Sequence, residues 1–206
     1  KNNEEIFGIN SRLHLAEATK IMQKRINEKH MINGVTIVDP DTTYISADTE
    51  IGQDTVIFPA TYIEGKNKIG KNCKIGPCAH LRGGVEIADN VKIGNFVEVK
   101  KSKIASNTNA GHLSYIGDSE VGSNVNIGAG TITANYNPLT KEKSKTVLKD
   151  SVKIGSNTVL VAPVTIEDGA NIGALSVITK NVPAWALAIT RSPMKVLADW
   201  VRNQLK

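Results

Sequence analysis

The sequence has few aromatic residues and no long apolar run. Aromatic side chains make up 4% of the 206 residues, whereas hydrophobic residues as a whole make up 40%. The core must therefore be built from aliphatic side chains rather than from large rings. No apolar stretch is long enough to cross a bilayer, and no signal peptide is recognisable, so we expect a cytoplasmic protein without a membrane partner.

Cysteine is scarce as well. Cys73 and Cys78 are the only two cysteines, and their spacing matches no zinc motif, which predicts reduced thiols in a cytoplasmic protein. A metal site would need three convergent histidines, but His14 and His30 fall in a predicted helix. We therefore expect no metal. The chain begins with Lys1 rather than Met, which suggests a piece of a longer protein.

The charge balance favours anionic partners. The net charge is +5 and the pI is about 9.1, which suits phosphorylated sugars or nucleotides, although a solvated lysine surface explains the same numbers. Basic residues are not interleaved with aromatic residues that would stack on bases. Nucleic acid is therefore not an expected partner.

What the sequence does contain is a repeat of six residues. From Ile45 to Val99 an aliphatic residue returns at every sixth position, through Ile51, Ile57, Ile63, Ile69, Ile75, Leu81, Ile87 and Ile93. A period of six is the hexapeptide signature of a parallel β-helix. The aliphatic residues of successive coils then stack on one another and fill the interior, so any functional site must lie on an outer face or between subunits.

The six-residue count is interrupted in three places. It slips by one residue before Ile104 and again before Val121, and it is broken between Thr133 and Lys145 by the segment TANYNPLTKEKSK. We expect this segment to be a loop extruded from the coil, either as a binding element or as a plain surface excursion. Excluding the loop, Ile45 to Ile178 makes about seven coils if three hexapeptides close each turn.

Helical patterns flank the repeat. Residues 11–33 predict one helix, capped by Asn10 or Ser11 and apolar at Leu15, Met22 and Ile26. At the other end, residues 194–205 predict a helix that shields the last coil or a neighbouring subunit. Its apolar stripe is formed by Leu197, Trp200 and Val201.

Several polar residues fall at outward positions on successive coils. Ala110 and Ile116 occupy the inward positions, which directs His112 and Tyr115 away from the core. Lys100, Asn126 and the extruded loop lie on neighbouring coils. A histidine there is either an ordinary surface residue or a titratable group at a site. Glu98 is a candidate to orient an imidazole, or a solvated carboxylate.

Five segments carry a family resemblance. They are HLRGG at 80–84, KIGNFVEVKKS at 92–102, AGHLSYIGDSEVGSNVNIGAGTITANY at 110–136, LVAPVTI at 160–166 and ALAITR at 186–191. These segments resemble the C-terminal acetyltransferase half of the bacterial bifunctional glucosamine-1-phosphate N-acetyltransferases and N-acetylglucosamine-1-phosphate uridyltransferases. The resemblance implies a left-handed parallel β-helix, a homotrimer and three active sites between subunits.

The resemblance also implies a division of the chain. Residues 1–9 would be a remnant of the missing uridyltransferase (pyrophosphorylase) domain, 10–33 a helical linker, 34–192 the acetyltransferase β-helix and 193–206 a helical tail. Uridyl transfer, and the Mg²⁺ that accompanies it, would belong to the missing domain. The co-substrate of this half would be acetyl-CoA.

The resemblance assigns roles to individual residues. His112 matches the catalytic base that accepts a proton from the attacking amine. The sugar-phosphate contacts would be Arg82, Lys100, Tyr115, Asn126 and Lys143. The acetyl-CoA contacts would be the Ala129 backbone amide at the thioester carbonyl, together with Asn135, Tyr136, Ser156, Ala174 and Arg191.

The chain departs from the family pattern in several places. Its β-helix is shorter, and LRGG replaces the usual LRPG beside Arg82, which removes a fixed φ. A longer loop makes Lys141 a competitor of Lys143, and the tail after Arg191 is atypical. Three other functions stay open: another hexapeptide acyltransferase with a different amino-sugar acceptor, a metal-dependent β-helix hydratase, and a noncatalytic scaffold.

Overall fold

Short parallel strands wound into a three-sided coil make up most of the chain. The computed structural model describes residues 8–205, so most of the predicted remnant 1–9 and the final residue of the tail lie outside it. The strands are β1 (Thr36–Ile37), β2 (Tyr44–Ile45), β3 (Glu50–Ile51), β4 (Val56–Ile57), β5 (Tyr62–Glu64), β6 (Lys68–Ile69), β7 (Lys74–Ile75), β8 (His80–Arg82), β9 (Glu86–Ile87), β10 (Lys92–Asn95), β11 (Glu98–Lys100), β12 (Lys103–Ile104), β13 (Asn109–His112), β14 (Tyr115–Gly117), β15 (Ser119–Val121), β16 (Asn126–Ile127), β17 (Ile132–Ala134), β18 (Thr146–Leu148), β19 (Lys153–Ile154), β20 (Val159–Val161), β21 (Val164–Ile166), β22 (Asn171–Ile172), β23 (Val177–Ile178) and β24 (Leu187–Ala188).

Up to β23, every third strand belongs to the same sheet, and β24 pairs with β22. The nine-stranded sheet begins with β1 and ends with β24, the eight-stranded sheet runs from β2 to β23, and the seven-stranded sheet runs from β3 to β21. Ile45 and Ile178 lie on the first and last strands of the eight-stranded sheet, which leaves the seven expected turns between them. The predicted all-β parallel β-helix is confirmed, with about eight turns in total.

The core is a stack of like residues. Ile57 pairs with Ile75, and Ile75 pairs with Ile93, in register through three coils, and all three side chains are inaccessible to solvent. Burial of each such side chain contributes about 1.5–3 kcal/mol. Because these side chains fill the interior, the outer faces carry the polar residues.

The two slips in the repeat stack on each other. Both shorten the turn that leads from the eight-stranded to the seven-stranded sheet, after β11 and after β14. Val99 still pairs with Ile116 and Ile104 with Val121, and the Asp118 amide donates to the Lys100 carbonyl at 3.0 Å. Since consecutive coils are shortened at the same place, the inward register is preserved.

Helix α1 (Arg12–Ile32) lies within the predicted 11–33, and the Ser11 side chain caps it by accepting from the His14 amide. The predicted apolar stripe, however, is only partly used: Leu15 and Met22 are about half exposed, and Ile26 alone packs against the core. The buried face of α1 is instead polar, and includes Gln23 and Asn27.

Those two amides close the open end of the coil. Gln23 Nε2 donates to the carbonyls of Pro40, Asp41 and Thr43, and Asn27 Nδ2 donates to those of Pro40 and Thr43. A solenoid's first coil has no preceding coil to donate to its carbonyls, so polar donors are needed there more than apolar area.

The predicted C-terminal helix is much shorter than expected. Helix α2 spans Trp200–Gln204, and residues 194–199 are not helical. Leu197, Trp200 and Val201 are exposed rather than packed on the last coil, so the predicted shielding of this chain's own coil is wrong. No helix within residues 8–205 is long and apolar enough to span a bilayer.

Candidate functional site

An arginine held by two carboxylates lies on the outer surface of the eight-stranded sheet. Arg82, at the end of β8, donates from Nη1 to Glu98 Oε1 at 2.8 Å, and its Nε lies 3.6 Å from Glu64 Oε1. The hydrogen bond and charge of Glu98 raise the pKa of Arg82 above its already high ordinary value. The sequence offered Glu98 as a candidate to orient an imidazole; in the structure its partner is Arg82.

Two further cations, Lys100 and Lys143, lie beside Arg82. The pKa of Lys100 is lowered, first by the charge of Arg82 and then by that of Lys143. Among residues 8–205, the ion pairs give Lys100 no carboxylate partner. A bound anion would stabilise the charge of a lysine that two other cations disfavour.

Tyr115 lies over Gly117, where a larger residue would not fit. Tyr115 and Gly117 both belong to β14, and a Cβ added to Gly117 would collide with the Tyr115 hydroxyl and approach Asn135 Nδ2 to 2.8 Å. The phenol therefore lies across Gly117 with its hydroxyl beside Asn135. Gly117 in turn pairs with Lys100 on the coil below, which brings Tyr115 to the cationic cluster.

The extruded loop folds back onto this face. Tyr136 and Lys143 form an antiparallel bridge, and the Ser144 amide donates to the Asn135 carbonyl at 2.9 Å. Lys143 Nζ reaches to 3.9 Å from Asp118 Oδ2 and neighbours Lys100. Lys143, rather than its competitor Lys141, is thus the loop lysine located at the cationic cluster.

A second group of predicted residues lies along one edge of the coil, where the nine-stranded sheet turns into the eight-stranded sheet. We call this line of turns the His112 edge. Asn95 pairs with His112, the Gly130 amide faces the His112 carbonyl at 3.4 Å, and the Asn157 amide donates to the Ala129 carbonyl at 2.7 Å.

The same edge continues upward through the remaining predicted acetyl-CoA residues. The Leu175 amide donates to the Ser156 carbonyl at 2.8 Å, and Arg191 Nη1 donates to the Ala174 carbonyl at 2.8 Å. The edge therefore stacks His112, Ala129, Ser156, Ala174 and Arg191 over successive coils, with the His112 side chain exposed to solvent.

A single chain does not assemble every predicted residue at one place. Arg82, Lys100, Tyr115, Asn135 and Lys143 meet on the eight-stranded face. Asn126 belongs to β16 of the nine-stranded sheet, where it pairs with Asn109 and Lys153. The His112 edge borders both of these faces but holds none of the cluster's cations.

Sequence reasoning missed Glu64, Gly117 and Asp118. Asp118 follows β14 at the second slip of the repeat, with a φ of +47°, and its carboxylate accepts from Asn135 Nδ2. The slip was the available signal, because it marks a turn that departs from the regular hexapeptide. Within residues 8–205 no group of three or more His, Cys, Asp or Glu side chains is arranged to hold a metal ion.

Comparison with known proteins places this geometry in context. The family model described as bacterial transferase hexapeptide (six repeats) matches residues 68–101 and 145–180. The bifunctional protein GlmU of Pseudothermotoga lettingae is 46% identical over 235 residues, covering 98% of this chain and 52% of that protein. The GlmU of Thermoanaerobacter pseudethanolicus is 49% identical over 237 residues, covering 99% and 51%.

The chain belongs to the hexapeptide-repeat transferases, as a relative of GlmU. It spans about half the length of the curated relatives it matches, as expected for the C-terminal half. The alignments are longer than the chain itself, so the relatives carry residues that this chain lacks. The solved polySia-specific acetyltransferase NeuO shares the fold, with a TM-score of 0.50 and 18% identity over 77% of this chain and 81% of its own.

Proposed function

We propose that the chain transfers the acetyl group of acetyl-CoA to the 2-amino group of glucosamine 1-phosphate, giving N-acetylglucosamine 1-phosphate. The observation that carries this proposal is the cluster of Arg82, Lys100 and Lys143, which suits a phosphate. Guanidinium and ammonium groups bind phosphate oxygens through charge-assisted hydrogen bonds. The relationship to GlmU selects a sugar phosphate among the possible anions.

In the proposed reaction His112 is the general base. The amine nitrogen attacks the thioester carbonyl carbon, a C–N bond forms, the C–S bond breaks, and CoA leaves as the thiol. The amine's proton passes to the imidazole and from there to the departing CoA sulfur. The Ala129 amide would stabilise the developing oxyanion, and Tyr115 and Asn126 would orient the sugar.

The acetyl-CoA site would follow the His112 edge. Its stacked turns present Ser156 and Ala174 at the surface, and Arg191 adds a cation at the upper end. Asn135 and Tyr136 would contact the same co-substrate from the loop. In the isolated chain, Asn135 and Tyr136 lie beside the cationic cluster on the eight-stranded face, and not on the His112 edge.

One chain keeps the His112 edge apart from the cationic cluster, which supports a homotrimer whose active sites lie between subunits. Phe96, Leu113 and Leu175 project from the His112 edge with 60%, 62% and 63% of their surface exposed, and all three have positive φ. Positive φ recurs at the turns of this coil, where Asn and Asp are the commonest residues, so bulky apolar side chains at three such turns on one edge suit a covered surface. We propose that a second copy covers these side chains and brings its own groups to His112.

The cellular setting proposed for the chain follows from its relatives. It would supply the acetylated intermediate of UDP-N-acetylglucosamine synthesis for peptidoglycan and lipopolysaccharide in the cytoplasm, with α1 as the linker to a uridyltransferase half. No metal would take part in the acetyl transfer itself.

The test is thiol release from acetyl-CoA in the presence of different acceptors. We expect release with glucosamine 1-phosphate and at least tenfold less with free glucosamine or UDP-glucosamine. A preference for either of the other two acceptors would indicate a different amino-sugar acyltransferase. Release with none of them, together with no thermal shift by CoA, would favour a noncatalytic scaffold.

A further inference from the structure

Asp118 touches three of the residues that the proposed function uses. Its backbone amide donates to the Lys100 carbonyl at 3.0 Å. Its carboxylate accepts from Asn135 Nδ2 and lies 3.9 Å from Lys143 Nζ. No other ion pair of Lys143 occurs among residues 8–205.

The surroundings of Asp118 make these contacts specific. The side chain is 18% exposed, so the carboxylate faces the loop rather than bulk water. Its φ of +47° belongs to the left-handed region, which Asn and Asp tolerate better than most residues. The shortened turn after β14 thus directs a carboxylate at the point where the extruded loop leaves and returns to the coil.

We propose that Asp118 is a positioning residue that anchors the loop and holds Lys143 at the cationic cluster. This inference rests on the proposed function for the identity of the anion but not for the anchoring itself. Without Asp118, Lys143 would face only Lys100 and Arg82, and like charges would repel it into solvent. The loop would then have to be ordered at the moment the sugar phosphate binds, which lowers affinity.

The Asp118 carboxylate also repels the anion that Lys143 is proposed to bind, so two opposing effects on the affinity for the sugar phosphate have to be compared. At 3.9 Å the ion pair is long and partly solvated, and such pairs neutralise little charge. The geometric restraint on a long lysine side chain and its loop is the larger effect. Removal of Asp118 is therefore expected to weaken binding of the sugar phosphate.

Two substitutions separate the two contacts. Asp118→Asn keeps an acceptor for Asn135 and the tolerance for positive φ but loses the charge that faces Lys143. Asp118→Gly keeps the backbone conformation and loses both contacts. Asp54 is a matched control, because it has a φ of +63°, is exposed, and lies between β3 and β4 on another edge of the coil.

The expected kinetic result is a split between the two substrates. Asp118→Asn should raise the KM for glucosamine 1-phosphate about fivefold, in line with about 1 kcal/mol for such a pair, and leave the KM for acetyl-CoA within twofold. Asp118→Gly should raise both, because Asn135 is released as well. The corresponding Asp54 variants should match the parent protein in both constants.

A second readout does not depend on the reaction. Trypsin should cut the loop at Lys141, Lys143 or Lys145 at least threefold faster in Asp118→Gly than in the parent or in Asp54→Gly. Parental KM values and parental cleavage rates in both Asp118 variants would overturn the proposal. If the parent protein shows no activity on the sugar phosphate, the proposed function fails, while faster cleavage would still support the anchoring.

Discussion

Arg82 and Glu98 are joined across one turn of the coil by a 2.8 Å hydrogen bond from Nη1 to Oε1. Glu98 raises the pKa of Arg82, so the guanidinium remains charged at any pH at which the protein is folded. The neighbouring Lys100 is affected in the opposite direction, because Arg82 and Lys143 lower its pKa. Of these two adjacent cations, Lys100 is the one that loses its charge first as the pH rises.

This difference predicts the alkaline pH dependence of substrate binding. A base with a lowered pKa loses its proton earlier as the pH rises, and its attraction for phosphate disappears with the proton. The KM for glucosamine 1-phosphate should therefore rise on the alkaline side at a lower pH than an unperturbed lysine would cause. In Lys100→Arg the rise should move to higher pH.

Steady-state kinetics from neutral to alkaline pH measure this shift. Titration of the substrate's own amine is common to both proteins and cancels in the ratio of their KM values. Identical profiles for the parent and Lys100→Arg would show that Lys100 does not contact the phosphate.

Replacement of the proposed base should abolish turnover without unfolding the coil. General base catalysis contributes about 10²–10⁴-fold, so His112→Ala should lower kcat by that factor and leave the KM for acetyl-CoA nearly unchanged. The His112 side chain is exposed, so its truncation leaves no cavity in the core. Circular dichroism and the melting temperature serve as controls, and undiminished turnover would remove His112 from the mechanism.

Gly117→Ala should disturb the site more than the fold. The added methyl group would collide with the Tyr115 hydroxyl, the mobile end of a side chain, so the phenol is expected to swing away from Lys100 and Asn135. We predict at least a tenfold lower kcat/KM with a melting temperature within a few degrees of the parent's. Parental activity of Gly117→Ala would contradict the role of Tyr115.

Asn27→Ala should loosen the first coil. The carbonyls of Pro40 and Thr43 each lose one of two side-chain donors, since Gln23 still donates to both, which costs about 1 kcal/mol of local stability. Hydrogen exchange at the amides of β1 and β2 should accelerate accordingly, while exchange near Ile93 stays slow because stacked coils unfold locally. Glu28→Ala, at an exposed position of the same helix, should leave every rate unchanged.

Leu113→Asn should dissociate the proposed trimer. Asparagine tolerates the φ of +51° found at residue 113, so the isolated chain loses nothing on substitution. An interface that buries Leu113 loses apolar contact and must accommodate an amide. Light scattering should report monomers and the activity should fall, whereas Leu139→Asn, on the exposed tip of the loop, should behave as the parent. A stable trimer of Leu113→Asn would place the interface elsewhere.

The sequence by itself determined the coil. An aliphatic residue at every sixth position, with small polar or glycine residues between, has one efficient packing, which is the like-on-like stack of Ile57, Ile75 and Ile93. A helix cap at Asn10 or Ser11, of which the structure uses Ser11, and the outward direction of His112 followed from the same local rules. Such features depend on neighbours a few residues apart or one coil apart, and that spacing is written in the chain.

Only the tertiary structure decided how the site residues meet. The pairing of Glu98 with Arg82 and the contacts of Asp118 with Asn135 and Lys143 join side chains of different coils or of the inserted loop, whose return path the period does not specify. The polar buried face of α1 was not predicted for the same reason, because the need for donors arises from carbonyls at the open end of the coil. Long-range partners of polar groups depend on which unsatisfied atoms the finished fold leaves, and a linear pattern does not encode them.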